Sequence, residues 1–178
     1  MKHTEEQKAI FNCIRNTDDH LIVNAGAGTG KTTTIVESAT LLPQGTKAAF
    51  LAFNKSIATE LAERLPADVE AKTFHAFGFA AIRAAGIKTK VNGFKVNNII
   101  KDLLGGDFYA APLKKLVSLI KGSLIEGNDR KAINRLIDEY NINFNSEREE
   151  EIAIQAIPSI LTMCKTQTHL IDFDDMIW

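Results

Sequence analysis

The amino-acid sequence predicts an α/β fold, in which a parallel sheet carries helices on both faces and an all-helical subdomain is inserted. Two observations lead to this prediction. Short apolar runs alternate with amphipathic helical patterns over residues 1–86, which is typical of parallel strands connected by helices. Only helical periodicity continues over residues 87–168, and a short apolar run follows at 169–178. These three ranges are the predicted domains.

Each apolar run in the first domain is read as a buried strand because it is short and bounded by polar or turn residues. The predicted strands are HLIVNA (20–25), KAAFLAF (47–53) and VEAKT (69–73). The predicted helices are TEEQKAIFNCIRN (4–16), residues 32–42, NKSIATELAERL (54–65) and FHAFGFAAIRAAG (74–86). Connections between these elements are short, as expected for a parallel sheet.

The second domain shows apolar residues at helical spacing and no convincing strand between Gly86 and Leu170. Ser146 with Glu149 forms a capping-box pattern, so a helix is predicted to start there and to run toward Cys164, with a kink or break at Pro158. Two further helices are predicted from their apolar positions, which are Leu113, Leu116, Val117, Ile120 and Leu124 in one, and Ile133, Leu136, Ile137 and Tyr140 in the other.

The composition, 45% hydrophobic and 24% charged residues, is that of a soluble globular protein with a real core. Cys13 and Cys164 lie in separate apolar helical patterns, and no Cys/His cluster has metal-ligand spacing, so both are predicted to be buried free thiols. The N-terminal residues lack the apolar segment of a signal peptide, and no run approaches membrane-spanning length. We therefore expect a cytoplasmic protein without a membrane partner.

The charge is unevenly distributed, although the net charge is only −1. Residues 86–131 carry nine Lys/Arg against four Asp/Glu, whereas residues 132–178 carry three against nine. Two interpretations of the basic stretch stay open, a solvated face or a phosphate-binding surface. Its basic residues are Lys88, Lys90, Lys95, Lys101, Lys114, Lys115, Lys121, Arg130 and Lys131.

The segment AGAGTGKT, residues 25–32, follows the first predicted strand and opens the next helix. It matches the P-loop pattern Gly-x₄-Gly-Lys-Ser/Thr, with Ala25 in place of the first glycine. Alanine is compatible with that position if its φ angle stays negative. Gly26, Gly28 and Gly30 allow successive backbone N–H groups to converge on one point, toward which the following helix directs its positive end. The pattern predicts a cradle for nucleotide phosphates.

Two side chains of the cradle have predicted roles in phosphate chemistry. Lys31 would reach the β and γ phosphates, and the Thr32 hydroxyl would ligate Mg²⁺. Hydrolysis also needs a second carboxylate on the metal ion, and the only candidate segment is HLIDFDDMIW at residues 169–178. Asp174 or Asp175 could serve, but an acidic residue followed three positions later by another is more typical of a helix start.

Five segments in chain order resemble motifs of the UvrD/Rep-like superfamily 1 DNA helicases. They are TEEQKAI, AGAGTGKTTT, LAFNKSIATEL, TFHAFGFAAI and DFDDMI. In that family the acidic segment precedes an Asp-Glu-x-x-Asp motif, and residues 87–168 match the place of the inserted subdomain 1B. The resemblance covers essentially the whole chain but only the N-terminal part of such a helicase. It implies a P-loop NTPase fold of the RecA-like type, with residues 1–86 as part of domain 1A and residues 169–178 as the start of a return to that domain.

The resemblance also implies ATP and Mg²⁺ as cofactors and assigns residues to them. The implied nucleotide-binding residues are Gln7, which would read adenine, and Ala25, Gly26, Ala27, Gly28, Thr29, Gly30, Lys31, Thr32 and Thr33. Lys31 and Thr32 would act in catalysis, and Thr32 would also hold the metal ion. The residues implied to lie on a track for single-stranded DNA are Phe53, Asn54, Lys55, Thr73, Phe74 and His75.

A family helicase is implied to translocate 3′-to-5′ on single-stranded DNA with ATP and to separate duplexes at single-strand junctions. The chain contains no Asp-Glu-x-x-Asp motif, no second RecA-like domain and none of the arginines which that domain would bring. We therefore expect the isolated chain to lack unwinding activity. The sequence does not indicate an oligomeric state.

Several of these residues have a purely structural interpretation as well. Gln7 completes a capping box with Thr4, and Asn54 stands where a helix N-cap belongs. Phe74 and Phe77 at helical spacing would ordinarily be core residues, and His75 is more typical of a helix start than of a catalytic base.

Two rival functions stay open at this point. A small P-loop kinase could use the basic stretch as a lid over its phosphoryl acceptor, although LAFNKSIATEL and TFHAF would then have no role. A non-catalytic module that binds nucleotide, single-stranded DNA or a protein partner would keep the motifs without turnover. Its DNA binding would be indifferent to loss of Lys31.

Overall fold

The computed structural model describes residues 3–106 and 110–178, and these fall into two compact units, Met1–Phe74 and His75–Trp178. Both units combine helices with short parallel strands, so the predicted α/β class is confirmed. The predicted domain boundaries at residues 86 and 168 concern the placement of an inserted subdomain, and they stay predictions.

The first unit contains two parallel strands and three helices. The strands pair in register from Ala48 opposite Val69 to Ala52 opposite Thr73. A small core forms on the sheet, where Ala52, Ala58 and Leu61 are buried and neighbouring apolar side chains pack against them. The elements are α1 (Glu5–Asn16), α2 (Lys31–Ala39), β1 (Ala48–Ala52), α3 (Lys55–Ala62) and β2 (Val69–Thr73).

The strand predicted for HLIVNA is wrong within this structure, because residues 20–25 adopt no regular secondary structure. Leu21 and Val23 are about two-fifths exposed, and Ile22 is 88% exposed. The physical reason is that a strand needs a hydrogen-bonded neighbour. Among the described residues β1 pairs with β2 and β3 with β4, so none of these strands pairs with residues 20–25.

The second unit is mainly helical and contains the larger core. Its buried apolar side chains come from four helices and from Ile142 in the loop between two of them. Lys90 and Val91 form a two-residue parallel ladder with Leu170 and Ile171. The elements are α4 (Phe74–Ala84), whose first residue belongs to the first unit, β3 (Lys90–Val91), α5 (Lys95–Leu104), α6 (Ala110–Gly122), α7 (Arg130–Glu139), α8 (Glu147–Thr166), β4 (Leu170–Ile171) and a 3₁₀ turn at Asp174–Met176.

Two expectations for this unit are corrected by the structure. The absence of a strand between Gly86 and Leu170 is wrong, although β3 is too short to produce an alternating pattern. The break at Pro158 is also wrong, since α8 runs through it. A proline removes one backbone donor from a helix. Here the flanking turns are held by packing, because Ile157 and Ile160 on either side are fully buried.

Glycine is required at one helix contact in the second unit. A Cβ atom added to Gly78 in α4 would lie 1.6 Å from the carbonyl oxygen of Met176 and 2.7 Å from its carbonyl carbon. Contacts under 3.0 Å are essentially never made by real Cβ atoms. The backbone of residues 174–176 therefore approaches α4 in a way that only a hydrogen at this position permits.

Candidate functional site

A cleft of about 740 Å³ opens in the first unit between α1, residues 21–26 and α2. The lining combines apolar side chains with residues of the glycine-rich loop. The apolar lining comes from Ile10, Ile14, Leu21, Val23 and Ile35, and the remaining lining from Thr4, Glu6, Gln7, Asn24, Ala25, Gly26, Thr29, Lys31, Thr34 and Ser38. A cleft with apolar walls and a few convergent polar groups is the usual form of a small-molecule site.

The glycine-rich loop adopts the backbone that the sequence pattern requires. Gly28 and Gly30 have φ angles of 75° and 82°, in the left-handed region that favours glycine. The non-glycine residues with positive φ are Leu124 and Asn141, so Ala25 keeps the negative φ expected for it. Gly30 is the N-cap of α2 and provides no side-chain cap. The N–H groups of the first turn of α2 thus have no side-chain acceptor from the cap and can receive an anion.

Lys31 is an exposed residue at the start of α2, and its ammonium group is held by the loop itself. Its Nζ atom donates to the carbonyl oxygens of Ala25 at 2.8 Å and of Gly26 at 2.7 Å. The Thr29 hydroxyl also donates to Gly26, at 2.9 Å. Thr32 lies exposed in the same turn. The Lys31 side chain therefore puts a positive charge in the lining of the cleft, and the exposed Thr32, which is not a lining residue, follows it in the chain.

Gln7 has the capping role predicted as its structural interpretation. The Thr4 hydroxyl accepts from the Gln7 backbone N–H at 3.3 Å, and the Gln7 Oε1 atom accepts from the Thr4 N–H at 3.0 Å. The other end of the amide reaches α2, where Nε2 donates to the Thr34 hydroxyl at 3.0 Å. Gln7 also lines the cleft, so the capping role and a role toward a ligand are compatible.

A second group of candidate residues lies beyond the carboxyl ends of β1 and β2. Since Ala52 pairs with Thr73 in a parallel ladder, Phe53 and Phe74 follow the two strands at the same edge of the sheet. Phe53 is 91% exposed and Phe74 is 50% exposed. Ligands gather at this edge in parallel sheets. The core interpretation of Phe74 is therefore wrong.

The neighbouring candidates have defined local roles. Asn54 is the N-cap of α3, as predicted, and its Oδ1 atom accepts from the Ile57 N–H at 2.9 Å. Lys55 is exposed at the first position of that helix. Phe77 is 42% exposed and is not a core residue. The ring of His75 meets the edge of Phe173 at 5.9 Å within the second unit.

The basic stretch contains two lysines that fit neither proposed interpretation. Lys95 and Lys121 are each 1% exposed, and both bind the Asp175 carboxylate, at 2.8 and 2.7 Å. Lys121 also binds Asp172, at 3.0 and 3.2 Å, and Lys95 donates to the carbonyl oxygen of Cys164 at 2.7 Å. We call Lys95, Lys121, Asp172 and Asp175 the buried charge cluster.

The helical periodicity of the sequence places both lysines of this cluster among apolar positions. Lys121 lies four residues after Val117, on the apolar face of α6, and Lys95 lies four residues before the buried Ile99 of α5. A lysine on the apolar face of a helix must form an ion pair with an acidic side chain or extend its ammonium group to solvent. The other basic residues of the stretch are exposed, which is compatible with both interpretations, so the choice between a solvated face and a phosphate-binding surface stays open for Lys88, Lys90, Lys101, Lys114, Lys115, Arg130 and Lys131.

The acidic residues near the C-terminus begin a turn, as the spacing suggested. The Asp172 carboxylate accepts from the Asp175 N–H at 2.8 Å, and the Asp175 carboxylate accepts from the Asp172 N–H at 3.0 Å. Burial opposes ionisation of Asp175, but the hydrogen bonds from Lys121 and Lys95 outweigh it and hold the pKa below its usual value. Both oxygens of Asp175 are committed to lysines, which argues against a role for it as a metal ligand.

The predicted burial is confirmed for the thiol of Cys164 and is wrong for that of Cys13. Cys164 is buried, and burial raises the pKa of its thiol, whereas Cys13 is only partly buried. Over residues 3–106 and 110–178, no helix is long and apolar enough to cross a bilayer, and no group of three His, Cys, Asp or Glu side chains is placed to hold a metal ion.

Comparison with known proteins identifies a family and a relative to which this chain is similar. The sequence profile of a family described as "AAA domain" matches residues 6–174. The F-box DNA helicase protein 1 of Schizosaccharomyces pombe (strain 972 / ATCC 24843) is 40% identical over 81 residues, which is 46% of this chain and 9% of that protein. The chain thus spans about a tenth of the length of this relative. Because the profile covers most of the chain, the chain belongs to this AAA domain family, a family of UvrD-like superfamily 1 helicase domains.

Proposed function

We propose that this chain is the N-terminal ATP-binding part of a DNA helicase that moves 3′-to-5′ on single-stranded DNA. The observation that carries the proposal is the loop at residues 25–32, in which left-handed Gly28 and Gly30 bring Lys31 and an uncapped helix start to an open cleft. The helicase relative matches only part of the chain, so its activity is transferred here as a proposal.

The residues of the loop fit a magnesium nucleotide. The first-turn N–H groups of α2 and the Lys31 ammonium are donors for phosphate oxygens, and the loop carries no opposing carboxylate between residues 24 and 36. The exposed Thr32 hydroxyl is a hard oxygen ligand of the type that Mg²⁺ prefers. Bound Mg²⁺ would neutralise charge on the β and γ phosphates, while Lys31 fixes their position.

The apolar lining of the cleft suits the base of the nucleotide. Ile10 and Ile14 of α1 and Ile35 of α2 line it, and Gln7 stands on the same helix one turn before Ile10. An amide offers one donor and one acceptor, which is the pattern that adenine presents at N7 and N6. We propose that Gln7 reads the base and that Ala25 to Thr33 hold the phosphates.

Single-stranded DNA is the proposed partner of the exposed sheet edge. Phe53 and Phe74 offer ring faces on which bases can stack, and each stacked base contributes roughly 1–3 kcal/mol in single-strand binding proteins. Lys55 adds a cation beside them for the phosphate backbone. Thr73 and His75 flank Phe74 in the sequence and belong to the proposed track. Binding at duplex junctions is part of the same proposal.

We propose that unwinding requires protein parts beyond those that this sequence contains. Asp175 is bound to two buried lysines, and the Asp-Glu-x-x-Asp motif and the second RecA-like domain of the family are not in the sequence. The chain is therefore expected to bind nucleotide with little turnover. Robust ATP hydrolysis by this chain alone would contradict the proposal.

The first test is the substitution Lys31→Ala, with Lys47→Ala as the matched control. Lys47 is an exposed lysine of the same unit that does not line the cleft. Displacement of a fluorescent ATP analogue measures nucleotide affinity, and anisotropy of a labelled oligothymidine measures DNA affinity. Lys31→Ala should weaken nucleotide binding about tenfold or more, equivalent to at least about 1.4 kcal/mol, and leave DNA binding unchanged.

The control and the DNA face make the test decisive. Lys47→Ala should match the unsubstituted chain in both titrations. Phe53→Ala should weaken oligothymidine binding and leave nucleotide binding unchanged. Equal nucleotide affinity of the Lys31→Ala and Lys47→Ala variants would refute the phosphate cradle. If the unsubstituted chain bound oligothymidine but no nucleotide, the non-catalytic module would become the better interpretation.

A small P-loop kinase is disfavoured by the buried charge cluster. Such an enzyme would need mobile basic groups over its phosphoryl acceptor, and the basic stretch was the candidate. Lys95 and Lys121 cannot act as such lid residues, because each is buried and bound to aspartate.

A further inference from the structure

Both the oxygen and the nitrogen of the Gln7 side-chain amide are hydrogen-bonded, and the partner of the nitrogen is Thr34 of α2. Oε1 accepts from the Thr4 N–H, and Nε2 donates to the Thr34 hydroxyl, each at 3.0 Å. Thr34 is only 6% exposed and lines the cleft next to Gln7. Thr34 is the last residue of the AGAGTGKTTT segment, but it lies outside the eight residues of the P-loop pattern, and the sequence assigned no role to it.

The two bonds fix which way the amide faces. The single hydrogen of the Thr34 hydroxyl goes to the Gly30 carbonyl oxygen at 3.0 Å, so the hydroxyl meets Gln7 as an acceptor. An amide turned by 180° would set Oε1 against that acceptor and its NH₂ group against the Thr4 N–H. The hydrogen-bond network therefore selects one orientation of Gln7.

In this orientation the amide keeps one N–H donor and one acceptor lone pair beyond the bonds already made. Adenine offers the complementary pair, with N7 as acceptor and N6–H₂ as donor. Guanine offers acceptors at both N7 and O6, so its O6 atom would face the Gln7 oxygen. An amide free to turn would accommodate both purines less selectively.

We propose that Thr34 is a positioning residue which orients Gln7 so that the cleft selects adenine over guanine nucleotides. This inference rests on the proposed function of the cleft, in which Gln7 reads the base. The same hydroxyl bonds Gly30, the left-handed N-cap of α2. A Cβ atom on Gly30 would lie 4.0 Å from the Gln7 Nε2 atom, so the reader of the base also lies close to the phosphate loop.

The test compares Thr34→Val, which removes the hydroxyl at nearly constant volume, with Thr34→Ser, which keeps it. Thr40→Val is the control, because Thr40 caps the far end of α2 and does not line the cleft. Competition titrations with ATP, GTP and tripolyphosphate against a fluorescent nucleotide give three dissociation constants for each variant. Circular dichroism melting checks that each variant is folded.

Thr34→Val should reduce the ratio of the GTP to the ATP dissociation constant at least fivefold, with tripolyphosphate affinity within twofold of the unsubstituted chain. Thr34→Ser and Thr40→Val should keep the ratio. Gln7→Met should reduce it to the same extent, and the double variant Gln7→Met/Thr34→Val should lose no more than either single variant, because both act through one contact.

The alternatives give different patterns. Parallel weakening of ATP, GTP and tripolyphosphate by Thr34→Val would mean that Thr34 only supports the loop, and it would overturn the inference. An equal loss of selectivity in Thr34→Ser would assign the effect to the methyl group and also overturn it. Equal binding of ATP and GTP by the unsubstituted chain would refute adenine reading while the phosphate cradle stands. Failure to bind either nucleotide or tripolyphosphate would refute the proposed function itself.

Discussion

Removing the ammonium group of Lys121 tests what holds the second unit together. In the buried charge cluster two lysines balance two aspartates, and Lys121 bonds both carboxylates. Burial works against its charged form, but the hydrogen bond with Asp175 and the nearby negative charges outweigh burial and raise the pKa of Lys121. Lys121 is therefore charged at neutral pH, and Lys121→Met would remove the positive partner that Asp172 and Asp175 share.

The expected loss is large because an uncompensated charge stays buried. Removing one partner of a buried pair typically costs about 3–5 kcal/mol, which is a substantial part of the roughly 5–15 kcal/mol that stabilises an ordinary domain. The methionine keeps most of the lysine stem, so a cavity contributes little to this figure. The second unit of Lys121→Met should thus unfold at a much lower urea concentration.

Trp178 is the only tryptophan of the sequence, so its fluorescence can be followed without interference from another indole. The centre of its ring lies 5.4 Å from the Lys121 Nζ atom and 4.5 Å from the Lys165 Nζ atom. Its fluorescence during urea unfolding reports on the second unit. The control is Arg130→Met, which breaks a pair with Glu151 between half-exposed side chains on α7 and α8. Exposed pairs contribute little to stability, so this variant should unfold close to the unsubstituted chain.

A double variant separates charge imbalance from lost contacts. Lys121→Met/Asp172→Asn leaves the Lys95–Asp175 pair, bonded at 2.8 Å, with one charge of each sign. It should be more stable than Lys121→Met despite carrying one more substitution. A loss below about 1 kcal/mol for Lys121→Met, or a double variant less stable than the single one, would refute the reasoning from buried charge.

Two further predictions concern the second unit. Gly78→Ala should destabilise it by roughly 1–3 kcal/mol, because the new methyl group would meet the Met176 carbonyl. The control Gly122→Ala in α6 places a methyl group with nothing within 4 Å and should be neutral or slightly stabilising. Equal urea midpoints of Trp fluorescence for the two variants would contradict this prediction. The urea midpoint should not change with pH from about pH 5 to 9. The lowered pKa of Asp175 gives stability that is lost as the pH falls below about 4. The raised pKa of Lys121 gives stability that is lost as the pH rises above about 10.5. A urea midpoint that increases below about pH 5 or above about pH 9 would contradict the predicted direction.

The phosphate loop could be predicted from the sequence because its requirements are local. Left-handed Gly28 and Gly30, the negative φ of Ala25 and a helix that starts at Lys31 all follow from neighbouring residues. The same holds for the caps, where Asn54 reaches a backbone N–H three positions along the chain. A side chain that acts on its own turn leaves a pattern in consecutive residues.

The errors of prediction arise where partners are distant in the sequence. Residues 20–25 have a strand composition, but composition does not supply a neighbouring strand. Lys95 and Asp175 are 80 positions apart, and the charge of each residue suggested an exposed location when considered alone. Thr34 was missed for the same reason, since its partner Gln7 lies 27 positions earlier. Burial and pairing are decided by the fold, which the local pattern does not contain.

The hydrogen bonds of Lys31 to its own loop have a consequence for how a ligand enters. The ammonium group already has two acceptors, Ala25 and Gly26, so phosphate binding would be an exchange of partners rather than a gain of bonds to a free charge. Because Lys31 would have hydrogen-bond partners in both states, the loop would be ordered before and after binding. The loss of conformational entropy on binding would therefore be smaller. It also limits the enthalpy gained, because two carbonyl contacts are given up. Under the proposed function, release of a nucleotide would return the ammonium group to these two carbonyl oxygens.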